Sequence, residues 1–196
     1  MGNAVRLDHR VIAGIIGRGS RVLDLGSGEG DLIALLETIK DVRVQGIELD
    51  NDAVGRCIMR GLSVFHGDIE SGLMEYPDRS FDWVILNQSM QETRKIDFVI
   101  EECLRVGRYV IVGFPNFAHI KARATIFFYG TTPVTSSLPH HWFDTPNVRF
   151  LSSKDFFAFC RRKEITVIDV KYLGKHRTIS ILPNLLAQNA IFVLTR

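Results

Sequence analysis

Cysteine is scarce in this chain, with 3 among 196 residues, and no two stand in a C-x-x-C pair. That spacing suggests neither a structural zinc site nor a disulfide framework. Cys57, Cys103 and Cys160 sit in apolar, helix-like surroundings and read as buried free thiols of a reducing compartment. No apolar run approaches the roughly 20 residues that span a bilayer. The N-terminal run Val11 to Ile16 is broken by glycines at 14 and 17 and makes a poor signal peptide. The expectation is a cytoplasmic protein with no membrane partner. Charge of one sign is lacking too, since 24 Lys and Arg face 22 Asp and Glu. The one tight basic run, Arg161-Arg162-Lys163, falls at a helix end that suits cations, so no nucleic-acid partner is expected.

What is present is an alternation of strand-like and helix-like segments. "RVLDLGS" (21–27) has the Val and Leu content of a strand buried on both faces. Leu32, Leu35, Leu36 and Ile39 recur at helical spacing over 31–40. Further strands are expected at 42–49, 62–68, 81–88 and 108–115, with helices at 53–60 and 95–104. Such a β-α-β-α rhythm predicts an α/β fold of the Rossmann-like type, an open, mostly parallel sheet with helices on both faces. Ligands in such sheets bind at the carboxyl edge, beside the first strand.

The rhythm breaks at Asn116. Residues 116–151 are rich in Thr, Ser, Pro and aromatics and read as a long excursion, a lid or a partner surface. Trp142, Phe143, Phe150, Phe156, Phe157 and Phe159 are expected to pack it onto the sheet. Order returns at Ser152, where Asp155 three residues on completes a capping-box pattern. Two last strands, 164–173 and 189–196, joined without a helix, imply an antiparallel closing strand. Residues 1–196 read as a single domain.

The turn after the first strand is G-S-G-E-G, with glycines at 26, 28 and 30. A glycine-rich turn at a helix N-terminus admits a ligand close to the backbone. The dinucleotide fingerprint needs its third glycine one position later, and no G-K-[ST] follows to make a phosphate loop. Glu29 and Asp31 flank the turn and would repel a pyrophosphate, but tolerate a cationic ligand without phosphate. Glu48 ends the second strand 20 residues after Gly28, where it can accept from ribose hydroxyls. Asp68 ends the third strand, where it can accept from an adenine amine. Asn87 and Gln88 end the fourth. The adjacent His140 and His141 point oppositely on an extended segment and have no partner at ligand spacing, so no metal is expected.

In this order and spacing, "VLDLGSGEG", "GIELD", "HGDIE" and "FDWVILNQS" resemble the cofactor motifs of class I S-adenosylmethionine-dependent methyltransferases. The resemblance implies a seven-stranded, mostly parallel sheet with an antiparallel last strand. It implies S-adenosylmethionine or S-adenosylhomocysteine as ligand. Asp24, Gly26, Ser27 and Gly28 would line the methionine part, with Gly30 in the same turn. Glu48 would hold the ribose with Leu49 beside the adenine, Asp68 and Ile69 would hold the adenine, and Asn87 would close the methionine side. The chain is further similar to the MetW family of methionine biosynthesis, most specifically through "HHWFDTPNVRFLSSKDFFAFC". It departs from that family at Asn87 and Met90, where Ser and Leu are more usual. The MetW resemblance implies work with, or regulation of, the homoserine O-acyltransferase MetX. No N-P-P-Y loop follows the fourth strand and no nucleophilic cysteine lies near the glycine turn, so no catalytic residue is assigned. Methyl transfer from a sulfonium needs alignment more than acid–base help, and a methyltransferase with an unidentified acceptor stays open.

Overall fold

A computed structural model describes residues 5–196. Residues 1–4 of the expected domain lie outside the described residues. The elements run α1 (Leu7–Ile15), β1 (Arg21–Leu25), α2 (Asp31–Lys40), β2 (Arg43–Glu48), α3 (Asn51–Met59) and β3 (Val64–His66). They continue with β4 (Phe81–Asn87), α4 (Ile96–Val106), β5 (Gly107–Pro115) and α5 (Ile120–Tyr129). The chain closes with α6 (Ser153–Arg162), β6 (Thr166–Leu173), the short α7 (Pro183–Leu186) and β7 (Asn189–Thr195).

The seven strands form one sheet in the order β3-β2-β1-β4-β5-β7-β6. Strands β1 to β5 pair in parallel, and β7 runs antiparallel to both β5 and β6. The chain first builds outward from β1 through β2 to β3, then returns to β4 on the other side. That reversal opens a crevice at the carboxyl ends of β1 and β4.

Both faces of the sheet are covered, which is why its strands are apolar on both sides. On one face Ile12 and Ile16 from the α1 region, Ile33 and Leu36 of α2 and Cys57 of α3 pack on Val22, Val44, Ile85 and Ile111. On the other, Ile100 and Cys103 of α4 and Phe156 and Cys160 of α6 pack on Val84, Val112 and Phe192. Phe114, Phe156 and Phe192 form a buried aromatic trio with centroids 4.8–5.6 Å apart. The three cysteines are free and buried. No helix among the described residues is long and apolar enough to cross a membrane.

Four features depart from the sequence-based expectation. The N-terminal run forms α1, because Asp8, His9, Ile12 and Ala13 make a buried helical stripe that Gly14 does not interrupt. Inside the excursion, α5 forms although its apolar residues lack a single face, and only Ala122 is buried. Trp142 and Phe143 do not pack on the sheet: they are 73% and 70% exposed. The connection between β6 and β7 also holds the one-turn α7.

The capping box at α6 is formed on both sides. Ser152 Oγ accepts from the Asp155 amide at 3.3 Å, and Asp155 Oδ2 accepts from the Ser152 amide at 2.8 Å. Replacing Ser152 by alanine is expected to cost about 1 kcal/mol. A urea titration should show a lower midpoint at unchanged slope. An unmoved midpoint would mean that solvent replaces the cap.

Candidate functional site

The loops after β1, β2, β3 and β4 enclose a cavity of about 430 Å³ at the carboxyl edge. Asp24, Gly26, Ser27, Gly28, Glu48, Leu49, Asp68, Ile69 and Asn87 all line it. Gly30 does not. It takes φ of 75° at the start of α2, and a Cβ there would meet Leu62 and Cys57 Sγ at 2.5 and 2.9 Å. The third glycine therefore serves the approach of α2 to α3, not the cavity.

The glycine turn is clipped to β2 from both sides. The amides of Gly26 and Ser27 donate to the Ile47 carbonyl at 2.8 and 3.3 Å. Ser27 Oγ donates to the Asp24 carbonyl at 3.0 Å. The Gly28 amide donates to Glu48 Oε2 at 2.7 Å, while Glu48 Oε1 accepts from the amides of Leu49 and Asp50 at 2.8 and 2.9 Å. Gly28 takes φ of 53°, and nothing stands within 4 Å of where its Cβ would be. The turn thus presents bare backbone to the cavity. Each carboxylate oxygen has two lone pairs, so Oε2 keeps one for a ligand hydroxyl.

Asp24 is buried at the base, and no donor among the described residues reaches its carboxyl. Burial, and then the charge of Glu48, push its pKa up to about 7. Asp68 Oδ1 caps the turn Ile69–Ser71 by accepting from the Glu70 amide at 2.8 Å. One oxygen of Asp68 is therefore committed to the loop.

The acidic residues of the turn are not free. Glu29 pairs with Arg56 at 2.7 Å and Asp31 with Arg60 at 3.0 Å, both arginines coming from the α3 region. The Arg56 hydrogen bond holds the exposed Glu29 carboxyl below its ordinary range. Charge repulsion of a pyrophosphate by these two residues is correspondingly reduced.

Sequence reasoning missed the contribution of α1. Arg6 and His9 line the cavity. Asp8 Oδ2 accepts from Asn87 Nδ2 at 3.0 Å and pairs with Arg6 at 2.6 Å. Burial pushes the Asp8 carboxyl up, but the Asn87 bond and the Arg6 charge outweigh it, and its pKa ends lowered. Desolvation lowers the pKa of His9. Asp8, Ile12 and Ile15 stand at helical spacing, which the sequence reading does not use, and no apolar periodicity marks Arg6 or His9. Gln88, Ser89, Glu92 and Thr93 complete the wall. Gln88 sits at φ of 64°, a left-handed backbone for a non-glycine residue beside a cavity.

The family model for "Methionine biosynthesis protein MetW" matches residues 6–194. The chain belongs to the MetW family. A curated relative from Rhodopirellula baltica, "Bifunctional methionine biosynthesis protein MetXA/MetW", is 34% identical over 160 residues. That match takes in 77% of this chain and 26% of the relative, so this MetW-family chain spans about a quarter of the length of the curated protein it matches. Among solved structures, a Thermotoga maritima S-adenosylmethionine-dependent methyltransferase, described as a possible histamine N-methyltransferase, superposes with a TM-score of 0.68 at 17% identity, over 96% of this chain and 87% of that one. The [4+2]-cyclase SpnF superposes with the same score at 18% identity, over 96% and 80%. At these identities the likeness establishes the fold. The MetW fold is the class I methyltransferase sheet, and its neighbours include a protein named for a different chemistry.

Proposed function

We propose that this MetW-family chain binds S-adenosylmethionine or S-adenosylhomocysteine and acts with, or regulates, homoserine O-acyltransferase in methionine biosynthesis. The observation that carries the reading is the carboxyl-edge cavity built around Glu48, Asp24 and the bare backbone of Gly28. Its lining suits an adenosyl group at the Asp68–Ile69 side and a cationic amino-acid part toward Asp24. The partner is supported by the Rhodopirellula relative, whose name joins MetXA and MetW in one protein. Binding that regulates requires different affinities for two states of the complex.

The test is the rate of homoserine acylation by the separate acyltransferase, with and without this chain, across a titration of S-adenosylmethionine. The rate is expected to depend on the chain and to shift with S-adenosylmethionine only when Glu48 is intact. A rate indifferent to the chain overturns the partnership.

A second reading, a methyltransferase acting on an unidentified small acceptor, is favoured by one observation. A second cavity adjoins the first, sharing Arg6, Gln88 and Glu92 with it. Formation of S-adenosylhomocysteine with a metabolite extract would support this reading, and its absence would count against it.

A further inference from the structure

The second cavity, of about 610 Å³, lies between the start of α1, the loop after β4, the ends of β5 and β6, and the 136–147 part of the excursion. Its lining mixes charged and amide side chains with Leu7, Leu173 and three prolines, and contains no Phe, Tyr or Trp. Its charges are of both signs, and they are unequally satisfied.

Gln91 is a buried amide in this lining, with 5% of its surface exposed. Its Nε2 donates to the Gln88 carbonyl at 2.6 Å, which fixes the amide orientation. Its Oε1 is buried and accepts from nothing among the described residues. Its backbone carbonyl holds the excursion by accepting from the amides of Val148 and Arg149, both at 3.0 Å. A buried acceptor left open in a cavity wall calls for a donor on a ligand. The neighbouring Glu92 is an exposed residue that lines both cavities. Desolvation of its carboxyl, and then the charge of Glu48, push its pKa up, against the pull of His140. A cation placed beside it would relieve that strain.

The opposite sign is available in the same cavity. The Arg6 guanidinium is taken up by Asp8. Lys175 is exposed, and among the described residues no carboxylate lies within ion-pair distance of it. Asn147 and Gln188 add amide groups to the lining.

We propose that this cavity binds a small zwitterion, a free α-amino acid, with its ammonium toward Gln91 and Glu92 and its carboxylate toward Lys175. The ligand sits beside the S-adenosylmethionine cavity. The proposal rests on the functional reading above only for the identity of that neighbour.

The probes are L-homoserine and L-methionine, titrated calorimetrically into the full chain with and without saturating S-adenosylhomocysteine. Butyrate and propylamine each supply one of the two charges alone. Amino-acid binding is expected to persist with S-adenosylhomocysteine present. It should weaken at least about tenfold in Gln91→Leu and in Lys175→Ala, the loss of one charge-assisted bond each. The single-charge probes should not bind measurably. Lys175→Ala keeps the test clear of misfolding, because that side chain is exposed and unpartnered. Displacement of the amino acid by S-adenosylhomocysteine would place it in the first cavity and overturn the proposal. So would indifference to both variants, equal binding of butyrate or propylamine, or no binding of either amino acid. If S-adenosylhomocysteine fails to bind while amino-acid binding still depends on Gln91 and Lys175, the zwitterion site stands and the reading of the first cavity fails.

Discussion

Glu48→Ala is expected to weaken S-adenosylhomocysteine binding by at least about tenfold. The one lone pair left on Oε2 accepts from one ribose hydroxyl, a bond to a charged group that contributes about 1.5 kcal/mol, and 1.4 kcal/mol is tenfold. The same carboxylate also holds the amides of Gly28, Leu49 and Asp50. Losing it loosens the turn as well as the ribose, so affinity alone does not separate the two effects. A double-mutant cycle does. Removing the ribose 2′-hydroxyl from the ligand should cost the wild type about tenfold and cost Glu48→Ala almost nothing further. If the deoxy ligand loses as much against the variant as against the wild type, Glu48 serves only the turn. Equal affinity of wild type and variant for the intact ligand would remove the cavity from consideration as a nucleoside site.

The sheet was legible because parallel strands covered on both faces must be apolar throughout. "RVLDL" and "WVIL" leave little else to be. Strand and helix ends fell within a few residues of the structure, the ordinary scatter of frayed ends. The residues around the first cavity were legible for a different reason. A ligand at the carboxyl edge must be met by side chains at strand ends, and Glu48, Asp68 and Asn87 each end or follow a strand. Gly30 was misread because a glycine says only that space or backbone freedom is needed. It does not say whether a ligand or Cys57 requires it. The contributions of α1 and α5 were not legible. Helix α1 covers the cavity with the polar groups of Arg6 and His9, which no apolar periodicity marks. Helix α5 keeps Ile126, Phe127, Phe128 and Tyr129 exposed, so it carries no buried face to find. Exposed aromatics at that density mark a surface that other molecules can meet. The pairing of Gln91 with the excursion is tertiary information, since its carbonyl reaches residues 148 and 149 across α4, β5 and α5.

Asp24→Asn should stabilise the ligand-free protein at neutral and alkaline pH while impairing its binding of S-adenosylmethionine. An Asp of ordinary pKa 3.8 whose folded-state value rises to about 7 holds its proton more tightly when folded. Below the lower value both states are protonated, and Asp24 makes no difference. As pH rises toward 7 the unfolded chain releases the proton and the folded chain does not, so stability falls. Above 7 both are ionised, and the full penalty, about 4 kcal/mol, is in force. Asparagine has no proton to lose and escapes the decline. Urea titrations should therefore find the two proteins similar at pH 4, with the variant ahead by several kcal/mol at pH 8. Identical pH profiles would show that the Asp24 carboxyl ionises normally. A buried carboxylate without a donor is a liability in the empty protein, and a cationic ligand offsets it. Affinity for S-adenosylmethionine should accordingly rise as pH approaches 7 in the wild type, then fall as the ligand's own amine loses its proton near pH 8. The rising limb should be missing from Asp24→Asn. Its survival there would assign the titration to another group, and Glu92, also raised by burial, is the next to replace.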